Sequence, residues 1–182
     1  DLDAHRLPDD SAKLKPNLDD VIQLSRVSVR YSENHTLALN EIDLIIPSCS
    51  TVALVGASGS GKTTIANLVC GLVTPSSGEI SINSVPYDSL SISALQRSTG
   101  YVTQESAVFN GSLLENVTLW EPEPDVERTE KILEQLDLRT LGVASEDSTF
   151  VNNVVGGDGM QLSGGERQRV GIARELYRNP KL

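Results

Sequence analysis

Two stretches hold residues whose types and spacing could handle a phosphate chain. The first is Gly56-Ala57-Ser58-Gly59-Ser60-Gly61-Lys62-Thr63, a complete G-x-x-x-x-G-K-[ST] with Thr64 directly behind it. Its glycines let successive backbone N–H groups turn inward as an anion nest, and a following helix adds the positive end of its dipole. Lys62 would reach the β- and γ-phosphates, and the Thr63 hydroxyl would ligate Mg²⁺. The second is Leu162-Ser163-Gly164-Gly165-Glu166-Arg167-Gln168-Arg169. Ser163 and Glu166 form the S-x-x-E pattern of a capping box at a helix start. Two glycines in that first turn are unexpected, since each costs about 1 kcal/mol against alanine inside a helix. A backbone left bare at such a cost has to be approached closely by something.

Both stretches need elements to hold them. VIQLSRVSVRY (21–31) and LALNEIDLIIP (37–47) alternate as strands, with polar SENH between them. TVALVG (51–56) is a continuous apolar run, which predicts a strand buried on both faces ahead of the phosphate loop. A helix is expected from Lys62 to Cys70, stopped by Gly71. EISIN and TGYVT read as further short strands. Residues 112–138 have a helical pattern, with Val126, Thr129, Ile132, Leu133 and Leu136 on one face of the second part. A glycine-rich loop, VVGGDGMQ (154–161), leads into the LSGGERQR helix. Strands alternating with helices argue for an α/β fold with a helical insertion.

Composition limits the possible partners. With 182 residues and a formal net charge of −10, the chain has no basic stripe, which argues against nucleic acid. No apolar run approaches the length of a bilayer span. Residues 1–20, with two prolines and no periodicity, read as a linker. Cys49 and Cys70 are the only cysteines and lack metal spacing, so they read as a turn thiol and a buried helix thiol.

A phosphate loop followed by LSGGERQR resembles the ATP-binding cassette (ABC) ATPases over essentially the whole chain from residue 21. The resemblance implies a P-loop NTPase core of ABC type, with an N-terminal antiparallel β-subdomain and a helical signature subdomain at about 105–165. It implies that Tyr31 stacks on adenine, that residues 56–64 bind ATP, and that Gln104 reaches Mg²⁺ and the attacking water together with Thr63. In the family two cassettes pack head to tail, so Leu162, Ser163, Gly164, Gly165 and Glu166 would close on the partner's ATP. That offers a reason for the bare glycines. The arginines at 167, 169, 174 and 178 are expected on a mostly solvated helix face without chemistry.

Two details resemble the exporter branch: VFNGSLLENV (108–117), after the glutamine, and the region VVGGDGMQLSGGERQRVGIARELY, which is similar to exporters of lipid-linked glycans and related amphiphiles. These imply membrane-domain partners, a second cassette (identical or not) and a place on the cytoplasmic side of the membrane. Gly157 departs from the glutamate that many exporters carry there, and Thr103 from a common proline. The resemblance also implies an apolar strand ending in Asp-Glu, and no such run exists in the sequence, so it is expected to follow Leu182. The C-terminal part of the core is then missing, and the 182 residues alone are expected to be inactive as an ATPase. Two alternatives stay open: a soluble cassette ATPase of DNA repair or chromosome maintenance, and a regulatory cassette that binds nucleotide without turnover.

Overall fold

The computed structural model describes residues 13–31, 36–104, 106–139, 141, 150–157 and 160–182. The chain divides into two compact units, one running to Thr99 and including Lys181–Leu182, the other Gly100–Pro180.

In the first unit, β1 (Ile22–Val29), β2 (Leu39–Ile46), β3 (Ser77–Ile82) and β4 (Val85–Pro86) form an antiparallel sheet in the order β2-β1-β3-β4. Alternation in β1 sends Ile22, Leu24, Val27 and Val29 into the core, with a register shift between Leu24 and Val27. Helix α1 (Lys62–Val69) packs Leu68 into the same core, and α2 (Ile92–Ser98) contributes Leu95. The buried Tyr87 hydroxyl donates to Val69 O at 2.9 Å, which fixes the C-terminal end of α1. Cys70 caps α1 and Gly71 follows with φ +67°, as its sequence position predicts. Cys70 is buried, which pushes its thiol pKa up, and Cys49 is exposed.

TVALVG differs from expectation. Residues 51–57 belong to no strand, and all of 51–56 are exposed, Val55 to 93%. A continuous apolar run shows what a strand could bury, but a strand exists only where a neighbour supplies ladder bonds. Among the described residues no strand pairs with this one. Residues 99–103 likewise lack ladder partners and are not a strand. EISIN lies within β3 as expected, apart from Asn83, which follows it.

The second unit is built from α3 (Leu113–Thr118), α4 (Val126–Gln135) and α5 (Gly164–Arg178), with a short antiparallel pair, β5 (Gly111–Ser112) and β6 (Val154–Val155). Leu113, Val117, Leu133, Val170 and Ala173 meet in its core. On α4 the expected face holds at Thr129, Ile132 and Leu133, while Val126, the first helical residue, is exposed. At a helix's first turn the chain is only beginning to run along the core, so periodicity overreaches there. Among the described residues no helix is long and apolar enough to cross a membrane.

Candidate nucleotide site

The phosphate loop is an exposed turn held at its C-terminal end, where Gly61 meets Leu39 of the first unit's core. Gly59 and Gly61 have φ of +79° and +88°, a region open to glycine and strained for other residues. A Cβ on Gly61 would lie 2.5 Å from Leu39 Cδ2 and 2.9 Å from Ala38 O. Leu39 is a buried residue of β2, so the sheet presses directly on the loop's last glycine. Ser60 N donates to Ala57 O at 3.2 Å, closing the turn. The Lys62 ammonium sits over this turn and donates to Gly56 O (2.9 Å), Ala57 O (2.7 Å) and Ser60 Oγ (3.3 Å).

Helix α1 then starts at Gly61 with no side-chain cap and no acidic residue in its first turn. The other four α-helices described are each capped by a side chain, from Ser91, Ser112, Asp125 and Ser163. The first N–H groups of a helix have no partner within it, so α1 alone keeps its positive end open beside a lysine. Anions are the ligands such an end attracts. Thr63 is exposed on that first turn. Thr64 is buried, and its Oγ1 accepts from the Tyr31 hydroxyl at 3.2 Å. Tyr31 is thereby fixed beside α1 by its hydroxyl end, while the residue remains 59% exposed.

The LSGGERQR turn is closed where the phosphate loop is open. Ser163 Oγ accepts from Glu166 N at 3.3 Å, and Glu166 Oε2 accepts from Ser163 N at 2.6 Å. Those Ser163 contacts hold the Glu166 carboxyl below its usual range. Leu162 is buried, and its carbonyl accepts from Arg167 Nη1 at 2.6 Å. The two glycines meet almost nothing. A Cβ on Gly164 would find only Arg167 Nη2, 3.9 Å away, and one on Gly165 would find no atom within 4 Å. Nothing among the described residues requires glycine at either position.

Gln104 is exposed and lines a cavity of about 470 Å³ with Ser106, Ala107, Val108, Gly164 and Arg167. It belongs to the second unit and Thr63 to the first, so neither unit by itself assembles the expected pair of Mg²⁺ ligands. Hydroxyl and amide oxygens are donors that suit Mg²⁺, which takes few protein ligands and keeps the rest for water and phosphate. No group of three or more His, Cys, Asp or Glu among the described residues could hold a metal.

One reading of the sequence changes. Arg174 is not a solvated bystander: its guanidinium is half-buried against Asn116 and Ala107, and burial lowers its pKa. A mid-helix glycine at 171, four residues past Arg167 and three before Arg174, was the available signal for a close approach on that face. Gly157 has φ +33°, and a Cβ there would lie 2.9 Å from Asn110 Cγ, so a glutamate at this position would strain the turn.

Residues 39–182 match the family description "ABC transporter". The chain is 38% identical over 159 residues to an ATP-dependent lipid A-core flippase of Polaromonas sp., covering 87% of this chain and 26% of that protein. It is 35% identical over 178 residues to the flippase of the same name from Haemophilus influenzae, with 98% and 30% coverage. Against ABC transporter B family member 1 of Arabidopsis thaliana the identity is 33% over 163 residues, with 89% and 12% coverage. Among solved structures, a bacterial Atm1-family ABC exporter with ATP bound superposes with a TM-score of 0.79 at 26% identity, covering 96% of this chain and 30% of that one. The chain therefore spans less than a third of the length of these relatives.

Proposed function

Because the chain belongs to the ABC transporter family, we propose that it is the ATP-binding motor part of an exporter, acting as one of two cassettes that close head to tail around ATP. In this reading residues 56–64 wrap the triphosphate. The loop and the open end of α1 supply N–H donors, and Lys62 leaves its carbonyls for the β- and γ-phosphates. Tyr31 offers its exposed ring to the adenine, held by Thr64. The Thr63 hydroxyl would hold Mg²⁺, with Gln104 as the further ligand that the family resemblance implies, and the ion would neutralise charge on the transferring phosphoryl group. The signature turn acts on the partner's ATP. Ser163 Oγ accepts from Glu166 N in its own cap, and its O–H, which the neighbouring Glu166 carboxylate attracts in the single chain, would turn to the partner's phosphate on closure.

The observation that carries this reading is the open space around Gly164 and Gly165. These residues lower helix propensity and nothing among the described residues presses on them, so this reading puts the demand for bare backbone on the partner's triphosphate. Exporter membrane domains are the second partner, met through residues 108–117. The cargo class that the flippase relatives support is a lipid amphiphile, and the motor sits on the cytoplasmic face. The 182 residues alone bind Mg²⁺–ATP without turning it over, since no apolar run in them ends in Asp-Glu.

The test mixes two inactive forms of the complete protein, Lys62→Ala and Ser163→Arg. Their heterodimer contains one composite site with both defects and one with neither. Turnover or nucleotide trapping above that of either variant alone is the expected result. A mixture that never exceeds its parts in both assays would remove the cross-subunit role of Ser163.

A further inference from the structure

The face of α5 that carries Arg167, Gly171 and Arg174, spaced i, i+4 and i+7, lies against the segment that starts at Gln104. Arg167 shares the cavity wall with Gln104, Ser106, Ala107 and Val108. At Gly171 the approach is so close that an added Cβ would lie 2.1 Å from Ser106 Oγ and 2.7 Å from Ser106 Cβ. One turn further on, Arg174 donates from Nε to Asn116 O (2.6 Å), from Nη1 to Ala107 O (2.6 Å) and from Nη2 to Asn116 Oδ1 (3.1 Å). Its guanidinium carbon also stands 5.2 Å from the centre of the Phe109 ring.

Asn116 is fully buried and extends the network. Its Oδ1 accepts from Phe109 N at 2.9 Å, and its Nδ2 donates to Phe109 O (2.9 Å) and Ser112 O (3.0 Å). The acceptors for Arg174 are thus neutral oxygens, each supplied by the 107–116 stretch. A half-buried cation solvated this way is stable only while every acceptor is in place, because a lost partner leaves charge desolvated and unmatched. The fork geometry of arginine fixes direction as well as distance. Residues 107–109 and α5 are therefore constrained to move together, and α5 runs without a break from Arg174 back to Gly164, about 15 Å along the helix axis.

We infer that Arg174, with Gly171 beside it, is a positioning residue: it ties the signature turn to Ala107–Phe109, so that a displacement of that segment carries Ser163–Gly165 with it. This rests on the proposed role of the signature turn and concerns how that turn is aimed. Neither residue touches nucleotide in this scheme, so both act on the rate of the closed state and leave ATP affinity alone.

The experiment measures kcat and KM for ATP and the melting temperature of the complete protein in lipid nanodiscs. Arg174→Lys keeps the charge and loses the fork; kcat is expected to fall by about tenfold with KM unchanged within about twofold. Gly171→Ala keeps Arg174 and pushes Ser106 away, with the same expected pattern. Since, among the described residues, the added methyl meets only Ser106 side-chain atoms, the double variant Gly171→Ala/Ser106→Gly should restore kcat. Folded Arg174→Lys with wild-type kcat would overturn the inference, as would losses in kcat, KM and melting temperature that track one another. Failure of Ser106→Gly to rescue Gly171→Ala would overturn the part played by Gly171. If the wild-type complete protein hydrolyses no ATP, the proposed function itself falls, and this inference with it.

Discussion

The starts of α1 and α5 are two glycine-bearing helix N-termini in one chain, built on opposite plans. At α1 the glycines are required from within. Gly61 is left-handed and pressed by Leu39 and by Ala38 O, no side chain caps the helix, and a lysine lies over the turn. At α5 the end is sealed by the Ser163–Glu166 box, and Gly164 and Gly165 sit in open space. The first plan leaves donors available for a ligand and fixes the loop to receive it. The second satisfies its own helix end and keeps a smooth surface with one hydroxyl. An open end suits an anion, and in the proposed reading the sealed, bare end is a surface that closes on one already held elsewhere.

The largest effect expected from breaking this contrast is at α1. Gly61→Ala should destabilise the chain by about 2–3 kcal/mol, combining left-handed strain with the contact to Ala38 O; a urea titration measures it. Lys62→Ala should leave stability nearly unchanged and weaken triphosphate binding by about 100-fold, the scale of one charge-assisted contact. Adenosine binding should change far less in the same calorimetric titrations. Tyr31→Ala comes next, weakening ATP by about 1–3 kcal/mol through lost stacking. Tyr31→Phe removes only the hydroxyl bond to Thr64 and should cost about 1 kcal/mol at most. Equal losses in the two variants would mean that the hydroxyl matters and the ring does not stack.

The smallest expected effect sharpens the α5 side and depends on pH. Hydrogen bonds from Ser163 lower the Glu166 pKa in the folded chain. The folded state therefore favours the carboxylate, and this contribution is complete above the unfolded value of about 4.3. It is lost as pH falls through the lower folded value. Glu166→Gln should flatten that acid limb of the stability curve while changing little at pH 7. An unchanged acid limb would mean the box does not persist in solution.

Much of this was legible in the sequence, for reasons that are local. The period-2 pattern of residues 22–29, the Gly71 stop and the Ser163–Glu166 box each depend on residues a few positions apart, and each appears in the structure. A second box, Ser112–Glu115, carries the same S-x-x-E pattern and is equally local, and it starts α3 inside the stretch whose periodicity reads as helical. TVALVG was not readable in the same way, because its fate depends on strands far away in sequence. Arg174 was not either. Helical periodicity marks the apolar face and assigns the charges to solvent, yet here the facing segment is a row of carbonyls that a guanidinium can satisfy. The phosphate-loop residues were identifiable by type, but the role of Leu39 and Ala38 in fixing Gly61 appears only in three dimensions.

The most direct test of a demand from outside the chain at the signature turn is Gly165→Ala, read in two assays. A methyl at 165 meets no atom of the other described residues within 4 Å beyond the helix's own turn, and alanine is the better helix former by about 1 kcal/mol. Stability of the 182-residue chain should therefore hold or rise slightly in urea, while ATP turnover by the complete protein falls by about 100-fold or more, the size of one lost set of closely placed donors. Undiminished turnover with alanine at 165 would show that nothing approaches this backbone closely, and the head-to-tail reading of the signature turn would be wrong.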